Sequence, residues 1–311
     1  MKLDYKYFVF TIFLCIVFII WMLFYKITRQ PAQSPASMPQ TASEKLIASM
    51  KMTFDDEFDT FSPYLDASGN AVCVPSATDS ATGTWQTMYA NCTHTTSANA
   101  EGEWYVPSST SATDGILTIE AATSTPSADE PLPYTSGMIS TQYSFSQTYG
   151  YFEIRAQLPA GGGLWPAFWL LPVDQSWPPE IDAMEAFGDT NPLNGEGGRT
   201  MIHYASHTPP DNAICGAWYD TNVDVTAGYH TYGVDWEPTS ITYYFDGTPY
   251  ASCPGNPAAD KPFYILANLA VGAAGSWPGS PDPAAIATTF PAYMRIDYIR
   301  AYQKTATTTA L

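Results

Sequence analysis

Apolar and polar residues alternate over short stretches along most of the chain. The alternation is clear in residues 152–158 and again in 241–245, where Asp246-Gly247 follows as a tight-turn signal, and a further stretch begins at Met294. A period of two is typical of strands with one buried face. Beyond the N-terminal segment, no window shows the 3.6-residue period of a long amphipathic helix. Many short strands separated by Gly, Pro and Ser therefore predict an all-β sandwich or jelly roll.

A continuous apolar segment precedes this region. Residues 8–25 contain Thr11 as their single non-apolar member, and as a helix they would reach about 27 Å, close to the hydrocarbon thickness of a bilayer. The flank KITRQPAQSPASM has no strong small-x-small cleavage site. We favour an uncleaved signal anchor within residues 1–29 over a cleaved signal peptide, with a buried core helix third. The protein is then extracytoplasmic, either anchored in the membrane through residues 8–25 or secreted.

The next segment has the composition of a linker. Residues 30–44 are rich in Pro, Ala, Ser and Gln, and such a stretch buries too little apolar area to fold. We assign residues 30–50 to this linker. No second break and no internal repeat follows, so one domain over residues 51–304 with a tail at 305–311 is the simplest partition.

Composition narrows the class of partner. Aromatic residues make up 14% of the chain and charged residues also 14%, a balance that suits a β-rich protein with many half-buried surfaces. The formal net charge is −18. Because an acidic surface repels phosphate backbones, we expect no nucleic-acid partner, whereas an uncharged polymer is compatible. We also expect a monomer.

The cysteines predict disulfide bonds. Cys15 lies in the apolar segment, which leaves Cys73, Cys92, Cys215 and Cys253 in the exported region. Four cysteines allow three pairings, and we favour the pairs nearest in sequence, Cys73 with Cys92 and Cys215 with Cys253. The sequence contains no CxxC motif, so the cysteine spacing does not indicate a metal site. Free, partly buried thiols are the less favoured alternative outside the cytoplasm.

Three acidic residues occur together in the segment EIDAME. On a strand, Glu180 and Asp182 share one face, while strict alternation would place Met184 rather than Glu185 on it. A β-bulge of one residue would return Glu185 to the acidic face. A solvated strand edge or a calcium loop is the alternative. A solvated edge does not explain the surrounding aromatic residues, and a calcium loop would normally carry Gly, Asn and Asp at alternating positions. The pattern therefore favours a catalytic cluster.

Crowded carboxyl groups supply what glycoside hydrolysis needs. One ionised carboxylate attacks the anomeric carbon, and one protonated acid assists the leaving oxygen. Repulsion between neighbouring carboxylates raises the pKa of at least one of them, which keeps a protonated acid available. The cluster predicts a glycoside hydrolase, although spacing alone does not establish a retaining mechanism.

The ExDxxE pattern preceded by WPAFWLLP resembles glycoside hydrolase family 16 in its bulged, laminarinase-like form. The resemblance extends through FDDEFD at 54–59, YTSGMISTQYSF at 134–145, TYGYFEIRAQLPAG at 148–161, HTYGVDWEPTSITYYFDG at 230–247, ANLAVG at 267–272, SWPG at 276–279 and MRIDYIRAYQ at 294–303. It implies a concanavalin-like jelly roll of two antiparallel sheets with a long cleft. It also implies that Glu180 is the nucleophile, that Asp182 orients and tunes it, and that Glu185 is the acid/base.

The resemblance implies further cleft residues. Trp165 and Trp169 precede the acids, and flat aromatic faces pack on sugar rings. Trp277 is an expected outer platform, and His203 and Asn268 match a family histidine and a cleft amide. Core packing is the alternative for Trp165 and Trp169, and a structural role is the alternative for the histidine and the amide. Trp236 fits either core or cleft.

The resemblance implies no cofactor for catalysis but a structural calcium ion, with Glu57 and Asp297 at the positions concerned. Ordinary surface carboxylates are the alternative interpretation of these two residues.

Two departures affect the choice of sugar. Met138 stands where many β-1,3-glucanases of the family carry arginine. The segment AAGSWPG, which follows ANLAVG, is longer than the usual GG-x-WPG form of the family. The segments QTYGYFE and SWPPEID are similar in sequence to those of bacterial exopolysaccharide depolymerases of the family. We therefore expect a retaining, endo-acting hydrolase of β-1,3 or mixed β-1,3/1,4 glucan, or of a glucose-rich bacterial exopolysaccharide. A transglycosylase that remodels an envelope polysaccharide and a non-catalytic carbohydrate-binding jelly roll are the alternatives.

Overall fold

The strands of the chain form in the segments where apolar residues alternate. The computed structural model describes residues 40–73, 82–191, 193–210 and 212–305. The first helix and strands are α1 (Ala42–Ile47), β1 (Met50–Asp56), β2 (Glu103–Tyr105), β3 (Thr110–Thr113), β4 (Ile116–Thr123), β5 (Tyr134–Ser136), β6 (Met138–Ser140), β7 (Gly150–Gln157), β8 (Leu164–Pro172) and β9 (Glu180–Glu185). They are followed by β10 (Met201–Thr208), β11 (Asn212–Asp220), β12 (His230–Trp236), β13 (Ser240–Phe245), β14 (Thr248–Pro254), β15 (Phe263–Val271), α2 (Ile286–Thr289) and β16 (Ala292–Lys304).

These strands assemble into two sheets. The ten-stranded sheet has the order β14-β13-β12-β7-β16-β4-β5-β2, with β1 paired to β16 and β3 to β4. The six-stranded sheet has the order β11-β10-β9-β8-β15-β6. All pairs between these strands are antiparallel except β2 with β5. The predicted all-β sandwich of two sheets is confirmed.

The core lies between the inward faces of the two sheets. Phe152, Ile154 and Ala156 of β7 point into it from the ten-stranded sheet, and Phe168 and Leu170 of β8 from the six-stranded sheet. Alternate positions of β8, including Trp165 and Trp169, therefore lie on the opposite face. Trp236, which sequence alone left open, is fully buried in this core.

The tight turn after β13 follows from its local sequence. Asp246 and Gly247 join β13 to β14 with φ of 45° and 71°, and Gly tolerates the left-handed conformation without a side-chain clash.

The predicted disulfides are confirmed: Cys73 pairs with Cys92 and Cys215 with Cys253. The second bond joins β11 and β14, which are edge strands of different sheets.

The domain begins earlier than the linker assignment of residues 30–50 implied. Thr41 caps α1: its hydroxyl accepts from the amide of Glu44, while the Glu44 carboxylate accepts from the amide of Thr41. Leu46 and Ile47 then pack against a cluster of buried tyrosines on the outer side of the ten-stranded sheet. These apolar contacts stabilise a helix within a segment whose composition favours disorder.

The predicted signal anchor, residues 8–25, lies outside the described residues. Residues from Thr41 onward form one unit, and of the separate unit Met1–Gln40 only Gln40 is described. Within the described ranges, no helix combines the length and the apolar character that a membrane crossing requires.

Candidate active site

A bulge in β9 brings the three acids to one face of the six-stranded sheet. Asp182 pairs with Trp169 of β8, whereas Glu185 pairs with Ala167, so three steps along β9 correspond to two along β8. The same irregularity occurs opposite β10. Ala183 and Met184 both point into the core, at 1% and 0% exposure. The bulge that the carboxyl spacing predicted is present at these two residues.

The acids line a cavity of about 570 Å³ on this face. The cavity crosses the sheet from His203 and His207 on β10, over the acids and the tryptophans of β8, to Asn268 on β15. No lysine or arginine lies among the described residues that line it. The basic groups that face the acids in this lining are therefore the two imidazoles of His203 and His207.

Glu185 is held by two side chains. Trp165 Nε1 donates to Glu185 Oε1 at 3.0 Å, and His203 Nδ1 lies 2.9 Å from Glu185 Oε2. His203 stands directly opposite Glu185 in the β9–β10 register. The carboxyl group is thus fixed in orientation at both of its oxygens.

Glu180 and Asp182 have a different set of neighbours. Trp177 Nε1 donates to Glu180 Oε2 at 2.8 Å. His207 Nε2 lies 3.2 Å from Asp182 Oδ2 and 4.0 Å from Glu180 Oε1. The side chains of Glu180 and Asp182 are 14% and 5% exposed, so both carboxyl groups are largely withdrawn from water.

Burial and mutual repulsion hold a proton at this pair. Burial is the main cause that raises the pKa of Glu180 well above its ordinary value, and the charge of Asp182 adds to it. The pKa of Asp182 is also raised, first by burial and then by Glu185, while a hydrogen bond with Glu180 opposes the rise. Two adjacent carboxylates without a cation favour one shared proton. That proton belongs to the pair of carboxyl groups rather than to either residue alone.

The tryptophans of the cavity use their N–H groups within the protein. In addition to the bonds of Trp165 and Trp177, Trp169 Nε1 donates to Asn268 Oδ1 at 2.8 Å and Trp277 Nε1 to Glu196 Oε2 at 2.6 Å. The ring faces, rather than the N–H groups, therefore remain for contact with a ligand. Sugar rings present C–H surfaces that suit such faces.

The predicted cleft amide and the outer tryptophan are both tied into the protein. Asn268 Nδ2 donates to Tyr105 OH at 3.0 Å, so this amide has a protein partner at both ends. Trp277 makes edge contacts with Trp165 at 5.6 Å and with His203 at 4.9 Å between ring centroids. Trp277 lines the cavity as predicted and also supports the histidine that contacts Glu185.

Met138 does not reach the cavity. It is fully buried in a cluster with Tyr105, Tyr264 and Leu266, and Tyr89 packs against that cluster. Met138 is therefore connected to the cavity only through its neighbours, such as Trp169, which packs against the same cluster and lines the cavity. Tyr89 and Tyr105 pack in the same cluster, and Glu101, which lies between them in sequence, lines the cavity.

Glu57 and Asp297, the predicted calcium residues, each face an arginine. Arg300 Nε donates to Glu57 Oε1 at 2.8 Å, and Arg155 is hydrogen bonded to Asp297. Guanidinium groups already occupy these carboxylates, so the pair does not fit a calcium site as placed. Among the described residues, the acids and histidines that lie close enough to share a metal ion are Glu180, Asp182 and His207.

Sequence reasoning missed the two side chains that contact Glu180, Trp177 and His207. His207 lies four residues after His203 on β10, so the two imidazoles share a face, and period two could have shown this. Trp177 lies three residues before Glu180, in a Pro-rich turn with cis peptide bonds at Trp177-Pro178 and Pro178-Pro179. The sequence does not reveal that such a turn directs an indole back onto the acid.

A two-sheet sandwich with an acid-lined, aromatic cavity on one sheet defines a class of carbohydrate-active β-sandwich proteins. The family description "Glycosyl hydrolases family 16" matches residues 81–300, and the chain belongs to this family. Endo-1,3-1,4-beta-glycanase ExsH of Rhizobium meliloti is 39% identical over 67% of this chain and 44% of its own length. Endo-1,3-1,4-beta-glycanase EglC of the same organism is 34% identical over 81% of this chain and 52% of its own length.

Solved structures show the same similarity. The laminarinase catalytic domain of Thermotoga maritima superposes with a TM-score of 0.64 at 28% identity, over 83% of this chain and 99% of that domain. The chain spans about half the length of the two glycanases.

Proposed function

We propose that the chain is a retaining, endo-acting glycoside hydrolase of β-linked glucan. The observation that carries this proposal is the β9 bulge, which places three carboxyl groups on one cavity face and gives Glu180 and Glu185 different hydrogen-bond donors. Two carboxyl groups with separate environments can serve as nucleophile and acid/base in one reaction.

The roles follow from those environments. The Glu180 carboxylate attacks the anomeric carbon and forms a glycosyl ester, while Glu185 gives its proton to the departing glycosidic oxygen. Glu185 then takes a proton from water as that water attacks the anomeric carbon and releases Glu180. Asp182 holds the shared proton toward Glu180, and His203 and Trp165 fix the orientation of Glu185.

Substrate recognition relies on aromatic faces. Trp165, Trp169 and Trp277 line the cavity with their N–H groups already bonded, so their faces are the surfaces offered to pyranose rings. The glycanase and laminarinase names of the relatives support β-1,3 or mixed β-1,3/1,4 glucan. A glucose-rich bacterial exopolysaccharide remains a candidate substrate within this proposal.

The wider arrangement of the protein is also proposed. The concanavalin-like jelly-roll topology suits the two sheets. We propose an extracytoplasmic monomer that residues 8–25 hold at the membrane, or that is secreted if this segment is cleaved. Fractionation of cells that express the full chain, followed by N-terminal sequencing of the mature protein, distinguishes anchoring from cleavage.

Glu180→Gln tests the central assignment. We expect polysaccharide cleavage by the full chain to fall by at least about a thousandfold, because an amide cannot form the glycosyl ester. Glu120→Gln on β4, outside the cavity, is the matched control and should retain activity. Cleavage by Glu180→Gln at the rate of the control would show that another group is the nucleophile.

The first product separates the remaining alternatives. Proton NMR during early hydrolysis should show the β-anomer, since two displacements restore the configuration, and an initial α-anomer would contradict retention. Product analysis with an added acceptor oligosaccharide distinguishes hydrolysis from transglycosylation. Binding of glucan without any cleavage would instead support a carbohydrate-binding role.

A further inference from the structure

Three side chains beside the proposed nucleophile have the spacing of metal ligands. Glu180, Asp182 and His207 each offer one ligand atom, and these atoms lie within 4.8 Å of one another. His207 Nε2 is 3.2 Å from Asp182 Oδ2 and 4.0 Å from Glu180 Oε1. With Zn–N and Zn–O bonds of about 2.1 Å, two ligands lie at most about 4.2 Å apart, and about 3.4 Å apart in a tetrahedron. The two distances from His207 fall within that limit.

A buried acceptor without a donor points into the same cluster. Asp182 Oδ2 accepts no hydrogen bond although the side chain is 5% exposed. His207 Nε2 approaches this oxygen at 3.2 Å without hydrogen-bond geometry. A buried carboxylate oxygen without a donor is costly, and a bound cation would take the place of the proton that Asp182 and Glu180 share.

The surroundings select the kind of cation. No lysine or arginine lines the described part of the cavity, so no protein cation competes for the site. One imidazole and two carboxylates supply nitrogen and oxygen donors of the kinds that Zn²⁺ binds, and three protein ligands leave a fourth position for water or substrate. Calcium prefers six to eight oxygen ligands, which this cluster does not provide.

We propose that Glu180, Asp182 and His207 form a binding site for Zn²⁺ or a similar transition-metal ion, and that this ion inhibits the enzyme. The ion would bind the carboxylate of Glu180 and so prevent its attack on the anomeric carbon. Its binding and that of polysaccharide would exclude each other. The inhibitory part rests on the proposed hydrolase function, whereas the binding part does not.

The two histidines of β10 allow a matched comparison. Calorimetric titration of the full chain with ZnCl₂, and visible absorption of bound Co²⁺, measure the site without any activity assay. We expect His207→Gln to weaken Zn²⁺ binding by about tenfold or more. His203→Gln should keep the affinity, because His203 contacts Glu185 outside the cluster, and so should His230→Gln, where the histidine contacts Asp246. Asp182→Asn provides a second test should His207→Gln fail to fold.

The outcomes separate the two proposals. Equal Zn²⁺ affinity in the wild type, His207→Gln and Asp182→Asn would overturn the metal site. Zn²⁺ binding that His203→Gln weakens and His207→Gln leaves unchanged would place the metal elsewhere and would also overturn it. Zn²⁺ binding that depends on His207 in a chain that cleaves no polysaccharide would uphold the site and contradict the hydrolase function. If the chain cleaves polysaccharide, binds no measurable Zn²⁺ and is not inhibited by it, the hydrolase function would be upheld and the metal site contradicted.

Discussion

At the residue scale, neighbouring acids differ because each carboxyl group has its own donors. Glu185 contacts Trp165 and His203, whereas Glu180 accepts from Trp177. A donor to a carboxylate stabilises its ionised form and lowers its pKa. In Glu180 this contribution opposes burial and the charge of Asp182, which raise the pKa. Trp177 therefore favours the ionised form of the proposed nucleophile.

Trp177→Phe should move the acidic limb of the pH profile of kcat/KM to higher pH. The indole N–H that lowers the pKa of Glu180 is lost, so more of the carboxyl group is protonated and inactive at a given acidic pH. We expect a shift of about one pH unit and a smaller effect above neutral pH. Trp177 is 56% exposed, so the fold should persist. The measurement is kcat/KM on soluble β-glucan across the pH range.

The control for this shift is Trp104→Phe, because Trp104 stacks on His94 and does not line the cavity. Its acidic limb should coincide with that of the wild type. An unshifted limb in Trp177→Phe would show that the hydrogen bond to Glu180 does not govern ionisation in the reaction.

Individual site residues were predictable to different degrees. Glu180, Asp182 and Glu185 could be predicted because carboxyl groups of this density have few structural uses. The partners of Asn268 could not, since Trp169 and Tyr105 reach it from β8 and β2, which are distant in sequence. A single sequence shows which donors exist but not which acceptors the fold brings to them.

At the element scale, local patterns determined what could be predicted. β7, β13 and the turn after β13 follow from alternation and turn residues over a few positions. Sheet order depends on pairings between distant segments, as with β16, which lies between β7 on one side and β4 and β1 on the other. Hydrophobic alternation specifies which face is buried but does not specify the partner strand.

The bond between Cys215 and Cys253 connects the edges of the two sheets, and its loss should affect the cavity as well as stability. The bond closes a sequence separation of 38 residues, for which loop-closure entropy predicts a loss of about 3–4 kcal/mol. β11 pairs directly with β10, which carries His203 and His207. We expect Cys215→Ser/Cys253→Ser to unfold at lower denaturant concentration and to show lower kcat/KM.

The second disulfide provides the comparison. Cys73→Ser/Cys92→Ser opens a separation of 19 residues, and the expected loss of stability is similar, about 3 kcal/mol. Neither cysteine lies on a strand that neighbours the acids, whereas Cys92 lies in the segment that carries Glu101 at the cavity. Equal loss of kcat/KM in the two double variants, at temperatures where both are folded, would contradict a specific role of the β11–β14 bond.

At the scale of the whole molecule, net charge and cavity charge have the same sign. The chain carries a formal charge of −18, and Glu101, Glu180, Asp182 and Glu185 line a cavity whose described residues include no lysine or arginine. A low-dielectric cleft of one sign strengthens the field that a ligand meets. A polymer with carboxylate, sulfate or phosphate groups is repelled both on approach and once it is bound, whereas a neutral glucan is not.

Carboxymethylated β-glucan should therefore be a poor substrate compared with the same glucan before modification. At low ionic strength we expect its kcat/KM to be lower by a factor of about ten or more. The value should recover in part in about 0.5 M NaCl, where the Debye length falls to a few ångströms. The neutral polymer should show little dependence on salt. Hydroxyethylated glucan of matched substitution controls for steric bulk, because it adds similar volume without charge. If the carboxymethyl and hydroxyethyl derivatives were cleaved equally at low salt, repulsion would not limit access, and the steric shape of the cavity between Glu101 and Trp277 would have to account for any discrimination.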